Sequence, residues 1–553
     1  MRPMPPRARP LALTALTALS ALLAAPHPAR ADETSAEDRL RLLYSNRFHF
    51  TDAGLPLITV EIMNGQREVR IRAAGGVLAR PDGAGGSTTV VEGEREWVVS
   101  AEATTPALIR EWTVVATLAP DDSTGVAAAV ETWRGRGFEP RTFEIGTVFG
   151  VAGELIDSRE VRVVVAPVEA GKGAASADEI ARRFGLATSV HPELARRPSG
   201  TLVARAGTTT LRNPSVIWFE PRDRKDTLTV PGVVVGGGGS QLTTTREDRR
   251  YWGSVYVTLD RDGKLLVANA VAEDKLLAGL VPAEIFPDAP EAALEAQAIA
   301  ARTELLGKIG RRNLTDPFVL CSTQACQVYA GAGKEHPRTT AAIGRTRGVV
   351  LLRDGGGLID VRYSASCGGH SEDNEAIWGG EADPSLRGHR DDGKGARSRI
   401  DDDALSAFLA EEPSRSWCGR AKSGASRFRW TVRTRRSELE ARIRTELRDL
   451  GRLQAITVRE RGVSGRAVAL TLRGSKGEAE VKGDLRIRRL FGGLKSSLFK
   501  VEFTDDEVVF TGAGFGHGVG MCQMGAIGMA EAGREHRVIL RHYYPGTHLH
   551  KLY

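Results

Sequence analysis

The chain has 553 residues, too many for one hydrophobic core, so two to four domains are expected. Its formal net charge of +7 falls to +3 once residues 1–31, with four arginines and no acids, are removed. A charge that small, with both signs interspersed along the chain, excludes a nucleic-acid-binding protein as the first reading. Arg2, Arg7 and Arg9 precede an apolar run from Leu11 to Ala25, and Ala29-Arg30-Ala31 follows. That order is expected to be a secretory signal cleaved after Ala31, which implies a periplasmic or extracellular protein. The run is too short to span a bilayer and no later stretch is apolar enough, so the mature protein is expected to have no transmembrane segment.

Residues 32–240 read as strand-rich. LITVEIM, EVRIRAA, EWVVSAE, EWTVVATL, EVRVVVAP and PSVIWFEP alternate or run apolar between Gly, Pro and Asp turns, with a helix expected over 177–184. PGVVVGGGGSQLTTT (231–245) reads as a flexible loop or linker. From Tyr251, two strands are expected on either side of Arg261-Asp262-Gly263, an Asp-Gly hairpin signal.

VPAEIFPDAPEAALEAQAIAARTELLGKIG (281–310) places Glu284 on a loop ahead of a long helix that Pro287 and Pro290 introduce and that ends near Gly310. Leu294, Ala298, Ala301, Leu305 and Ile309 share one broad arc of that helix. Arg302 falls within the arc, so it either pairs with an internal carboxylate or faces a ligand. Further on, Ser437 to Leu450 reads as a helix and 456–481 as a hairpin with Gly turns. In TGAGFGHGVG, glycine recurs every second residue from 512 to 520. If extended, one face is bare and admits either a sugar ring or a neighbouring strand. His517 is then either a core histidine or a cleft residue.

Cysteines stand at 321, 326, 367, 418 and 522, too few for a disulfide scaffold and odd in number. Cys321, Cys326, Cys367 and His370 offer ligands for a structural zinc, with a disulfide as the alternative. No nucleophile elbow surrounds Ser364 or Ser366.

VPAEIFPDAPEAALEAQAIAARTELL resembles the signature of the stage II sporulation protein D (SpoIID/LytB) family, in which V-P-x-E-M-P precedes A-L-K-A-Q-A-V-A-A-R-T. CSTQACQVYAG (321–331), TRGVVLLRDGGGLIDVRYSASCGGHSEDNEAIWGG (346–380) and GAGFGHGVGMCQMGAIGMAEAGREHRVILRHYYPG (512–546) resemble further blocks of that family in the same order. The resemblance implies an α+β fold, with a SpoIID-type catalytic domain over 248–553 behind the strand-rich region. It implies an exported lytic transglycosylase that cuts the bond between N-acetylmuramic acid and N-acetylglucosamine in peptidoglycan glycan strands, peptide-stripped ones preferred. Glu284 matches the family's catalytic glutamate. Arg302, Tyr363, Ser364, Gly516, His517, Gly518 and Gln523 are then expected to line the substrate cleft. Some relatives hold zinc through two cysteines and a histidine directly before the second, but here that position is Ala325.

Most glycosidases use two carboxylates, whereas a lytic transglycosylase needs one, because the C6 hydroxyl of muramic acid is the nucleophile. A single acid near neutral pH has to be raised from about 4.3, here by burial against Val281, Ile285 and Phe286. No cofactor is needed for that chemistry. Two alternatives stand: a non-catalytic glycan-binding enhancer of a peptidoglycan amidase, and a zinc-dependent hydrolase.

Overall fold

A computed structural model describes residues 43–44, 49–51, 53–81, 91–92, 95–151, 154–236, 244–322, 329–354, 356–394 and 397–553. The expected signal over 1–31 and Cys326 lie outside the described residues.

The strand-rich reading of the N-terminal region holds, and the sequence alternation shows why. Glu68–Arg72 buries Val69 and Ile71 and exposes the charges between them. A six-stranded sheet runs in the order Thr209–Asn213, Ser199–Ala206, Glu96–Thr105, Glu68–Arg72, Leu228–Gly236, Thr244–Tyr251. The last two strands pair antiparallel, so much of 231–245 is the two arms of a hairpin rather than a linker. A separate four-stranded sheet (Ser189–Arg196, Leu108–Leu118, Glu160–Glu169, Arg141–Ile145) carries helices Ser123–Gly135 and Gly173–Phe184 over a small core around Trp133, Val165 and Ile180.

The seven-stranded sheet crosses the boundary expected between 240 and 248. Strand Leu265–Ala272 pairs on one side with Ser254–Leu259 and on the other with Pro56–Gln66. Ile58, Val60 and Ile71 therefore share one core with Leu276, Leu294 and Ile527 from the C-terminal part. The expected hairpin is present, and its turn is pinned by Asp260, whose Oδ1 accepts from the backbone N–H groups of Asp262 and Lys264, both at 2.9 Å.

Helix α1 (Glu273–Glu284) leaves strand Leu265–Ala272 directly, and α2 (Glu291–Gly307) follows after a short turn. Glu284 is thus the last residue of its own helix, not a loop residue. The apolar run Leu276, Leu277, Leu280, Val281 packs as a helix, and Pro282, which cannot donate to Ala278, stands in its final turn and helps end it. In α2, residues from Ala296 to Thr303 are buried without a break, so every face is covered and the helix is central rather than amphipathic. It packs against α1, α3 (Pro337–Arg345), α4 (Gln523–Glu531), α5 (His536–Tyr543) and strand Val349–Arg353. That strand pairs with Thr547–Lys551, and Tyr363–Ser364 lies parallel to Met521–Cys522.

Residues 429–513 add a second core around Leu439, Ile443, Leu470, Phe491, Phe499 and Phe510. The expected helix is Arg436–Glu446, and the expected hairpin is a three-stranded sheet, Leu453–Arg461, Ala467–Gly474, Gly477–Lys482. Strand Glu507–Ala513 runs from this module straight into the glycine-rich loop.

Arg302 takes the first of its two readings. It is fully buried, and its Nε donates to Glu273 Oε1 at 2.6 Å. Its Nη1 donates to the carbonyls of Thr346 at 2.7 Å and Val349 at 3.2 Å. It faces no cleft. Arg302→Ala strands a buried carboxylate, so denaturant unfolding is expected to show a loss of about 3–5 kcal/mol, and a Glu273→Met/Arg302→Met double variant to recover most of it. A variant of unchanged stability that loses only activity would return Arg302 to the ligand.

Candidate active site

Glu284 is half-buried at the C-terminal end of α1. Val281 and Ile285 beside it are buried as expected, whereas Phe286 is 38% exposed and presents its ring to the Arg427 guanidinium at 4.3 Å. The Glu284 charge is felt by Tyr363. The Tyr363 hydroxyl is buried without a well-aligned hydrogen-bond partner, and the Glu304 carboxylate stands close enough to hold its proton. Burial first, then the Glu284 and Glu304 charges, push this phenol well above its ordinary pKa, so it stays protonated. Glu304 is itself nearly buried, paired with Lys308 and 3.9 Å from Arg362 Nη1.

His517 lies on the same side of the molecule. Its Nδ1 accepts from the Val519 N–H at 3.0 Å, and its other nitrogen is engaged by the Tyr363 backbone. Desolvation, reinforced by Arg362, Arg466 and Arg488, lowers its pKa to about 3, so it is neutral near pH 7 and is no proton shuttle there. Its ring packs 4.9 Å from that of Trp378, and Arg362 lies 5.1 Å from the same indole. Trp378 is 52% exposed. A tryptophan directly ahead of Gly379-Gly380 was the signal available in the sequence.

The glycine-rich stretch is not extended. Gly514, Gly516, Gly518 and Gly520 all have positive φ, between 69° and 100°. The bare positions face protein. A Cβ on Gly516 would lie 2.9 Å from Ser364 Cβ, and one on Gly518 would lie 2.4 Å from the Arg466 guanidinium carbon. Gly516 and Gly518 therefore serve close backbone packing against 364–367 and Arg466, not a sugar ring. Ser364 is also buried, its Oγ accepting from the Gly518 N–H at 3.2 Å. Gln523 is buried in α4 and donates to Gln297 of α2 at 3.2 Å. Of the expected cleft residues, the structure groups Glu284, Tyr363 and His517, and turns Arg302, Ser364 and Gln523 inward.

A buried network of Glu372, Ser464 and Arg466, absent from the sequence expectations, holds the loop. Glu372 accepts from the N–H groups of Asp373 and Val463 and from the Ser464 hydroxyl, and Arg466 donates to Ser464 Oγ and to the carbonyls of His370 and Cys367. Residues nearly a hundred positions apart meet there, and no local pattern signals such a pairing.

Among the described residues the expected zinc set does not assemble. Cys321 is disulfide-bonded and has no thiolate to give. Both His370 nitrogens lie 2.7 Å from backbone carbonyls, of Ser371 and Ser398. Cys367 is a free thiol, buried among other residues.

Residues 261–352, which contain Glu284 and Arg302, match the model of a family described as "Stage II sporulation protein", and residues 372–520 match a domain of unknown function. An uncharacterised protein of Brachyspira hyodysenteriae (strain ATCC 49526 / WA1) is 30% identical over 297 residues, 54% of this chain and 71% of that one. The amidase enhancer of Bacillus subtilis (strain 168) is 28% identical over 294 residues, 49% of this chain but only 40% of that relative. Stage II sporulation protein D of Bacillus amyloliquefaciens is 26% identical over 308 residues, 53% of this chain and 78% of the relative.

The depressed pKa of His517 gives a signed prediction. Above pH 6.5 neither the folded nor the unfolded state binds a proton there; as pH falls from about 6.5 towards 3, only the unfolded chain does, and stability is lost. Relative to His517→Gln, the wild type is expected to lose up to about 1.4 kcal/mol per pH unit across that window. Parallel stability curves for the two proteins would mean that the folded state protonates His517 freely.

Proposed function

For a chain that belongs to the stage II sporulation protein D family, we propose a cell-wall function in which Glu284 is the acid and base of a lytic transglycosylase acting on peptidoglycan glycan strands. The observation that carries this reading is the half-buried carboxylate of Glu284 at the C-terminal end of α1, near enough for its charge to be felt by a protonated Tyr363. Glu304 is tied to Lys308 and nearly buried, which suits it to orienting Tyr363 and not to activating water.

In the proposed reaction Glu284 protonates the glycosidic oxygen as the C1–O4 bond breaks. The C6 hydroxyl of the same muramic acid closes on C1, and its proton passes to the Glu284 carboxylate. Atoms balance without water, and the new end is 1,6-anhydro-N-acetylmuramic acid. The exposed faces of Trp378 and Phe286 supply apolar platforms against which pyranose rings stack. Export to the cell wall fits such a substrate, and glycan strands stripped of stem peptides are the substrate we favour.

The B. subtilis amidase enhancer among the relatives supports a second reading, in which the chain binds glycan and stimulates a peptidoglycan amidase. One experiment separates the two. Glu284→Gln keeps the side chain's shape but carries no proton, so release of anhydro ends from purified strands, followed by mass spectrometry, should fall by about 10²-fold or more while glycan binding persists. Cleavage within tenfold of wild type would remove Glu284 from the chemistry. Absence of cleavage by the wild type, together with amidase stimulation that survives Glu284→Gln, would establish the enhancer reading.

A further inference from the structure

Four side chains converge in the interior: Cys367, one member of the expected zinc set, with Asp391, Cys418 and Cys522, all buried and with ligand atoms within 4.8 Å of one another. We propose that they form a closed structural zinc site of three thiolates and one carboxylate.

The spacing fits one tetrahedral ion. Zinc–sulfur bonds of about 2.3 Å give a sulfur–sulfur edge of about 3.8 Å, and a bound carboxylate oxygen lies about 3.5 Å from each sulfur. Cys367 Sγ is 3.6 Å from Cys418 Sγ and 3.5 Å from Asp391 Oδ2. A disulfide requires about 2.05 Å. An iron–sulfur cluster would hold its cysteines much farther apart.

The surroundings are those of a metal's supporting groups. Asp391 Oδ1 accepts from the Tyr543 hydroxyl at 2.8 Å and lies 3.4 Å from His542 Nε2, while Oδ2 accepts from the Cys418 N–H at 2.9 Å and lies on the side of the sulfurs. Cys522 caps α4, and its sulfur accepts from the N–H groups of Cys367 at 3.1 Å and Gly525 at 3.3 Å. Such donors favour a thiolate. A carboxylate and thiolates gathered out of water need a compensating cation, and a divalent ion at their centre supplies it.

The ligands come from two parts of the chain. Cys367 follows strand Tyr363–Ser364, and Cys522 ends the parallel strand Met521–Cys522, with Ser364 opposite Cys522 in register. Asp391 and Cys418 belong to the 372–520 segment matched to a domain of unknown function. The ion would clamp that segment to the strand pair carrying Tyr363. With four protein ligands and no open position it would be structural, and this inference does not depend on the glycan chemistry.

Elemental analysis of the mature protein, purified without chelator, is expected to find about one zinc per chain. Cys418→Ser and Asp391→Asn should lower that content towards zero, while Cys321→Ser keeps it. Should those variants fold poorly, cobalt-loaded wild type gives an independent reading through a thiolate-to-cobalt charge-transfer band and intense tetrahedral visible bands. The proposal is overturned by wild type with no stoichiometric metal, whether three thiols titrate on denaturation or two are missing until reduction. Zinc that follows Cys321 instead of Cys418 would overturn it equally.

Discussion

The buried pair of Arg302 and Glu273 is the constraint on which the rest depends. It fastens the first residue of α1 to the middle of a helix with no exposed face, and the guanidinium also gathers the carbonyls of Thr346 and Val349. Glu284 stands at the other end of the 12-residue α1, about 16 Å away at 1.5 Å per residue. A rigid helix anchored at one end by a desolvated ion pair delivers its last carboxylate to a fixed place. Such a pair adds little net stability over an apolar isostere, so its contribution here is geometric.

Around that frame the chain closes on itself repeatedly. N-terminal strand Pro56–Gln66 pairs with the strand that launches α1, the C-terminal strand Thr547–Lys551 pairs with Val349–Arg353, and the glycine-rich loop packs against 364–367. Tyr363 sits where these meet, with its hydroxyl near two carboxylates and its backbone engaging His517. One of the two, Glu304, is nearly buried and paired with Lys308, and the other, Glu284, is half-buried at the end of α1.

Local pattern made the strands legible: alternation in Glu68–Arg72 and the Asp-Gly turn at 262–263 need only neighbouring residues to be understood. Glu284 was legible through its motif, although the helix ending on it was not, because Pro282 reads as a helix breaker when it stands in a final turn. The side of α2 that Arg302 faces was undecidable from periodicity, since the helix is buried all round. The glycines of 512–520 announced bare positions, but positive φ and the guanidinium of Arg466, supplied from fifty residues away, decide what fills them. The cysteines show the same limit: spacing suggested Cys321, Cys326, Cys367 and His370, whereas the fold gathers Cys367 with Cys418 and Cys522 around Asp391.

The central claim is that one carboxylate suffices because the substrate supplies its own nucleophile. Digestion of purified glycan strands in water enriched in heavy oxygen, followed by mass spectrometry of the new ends, tests it directly. The account expects anhydro ends carrying no heavy oxygen. Reducing ends labelled at C1 would show that water attacked, and would require a second carboxylate to activate it.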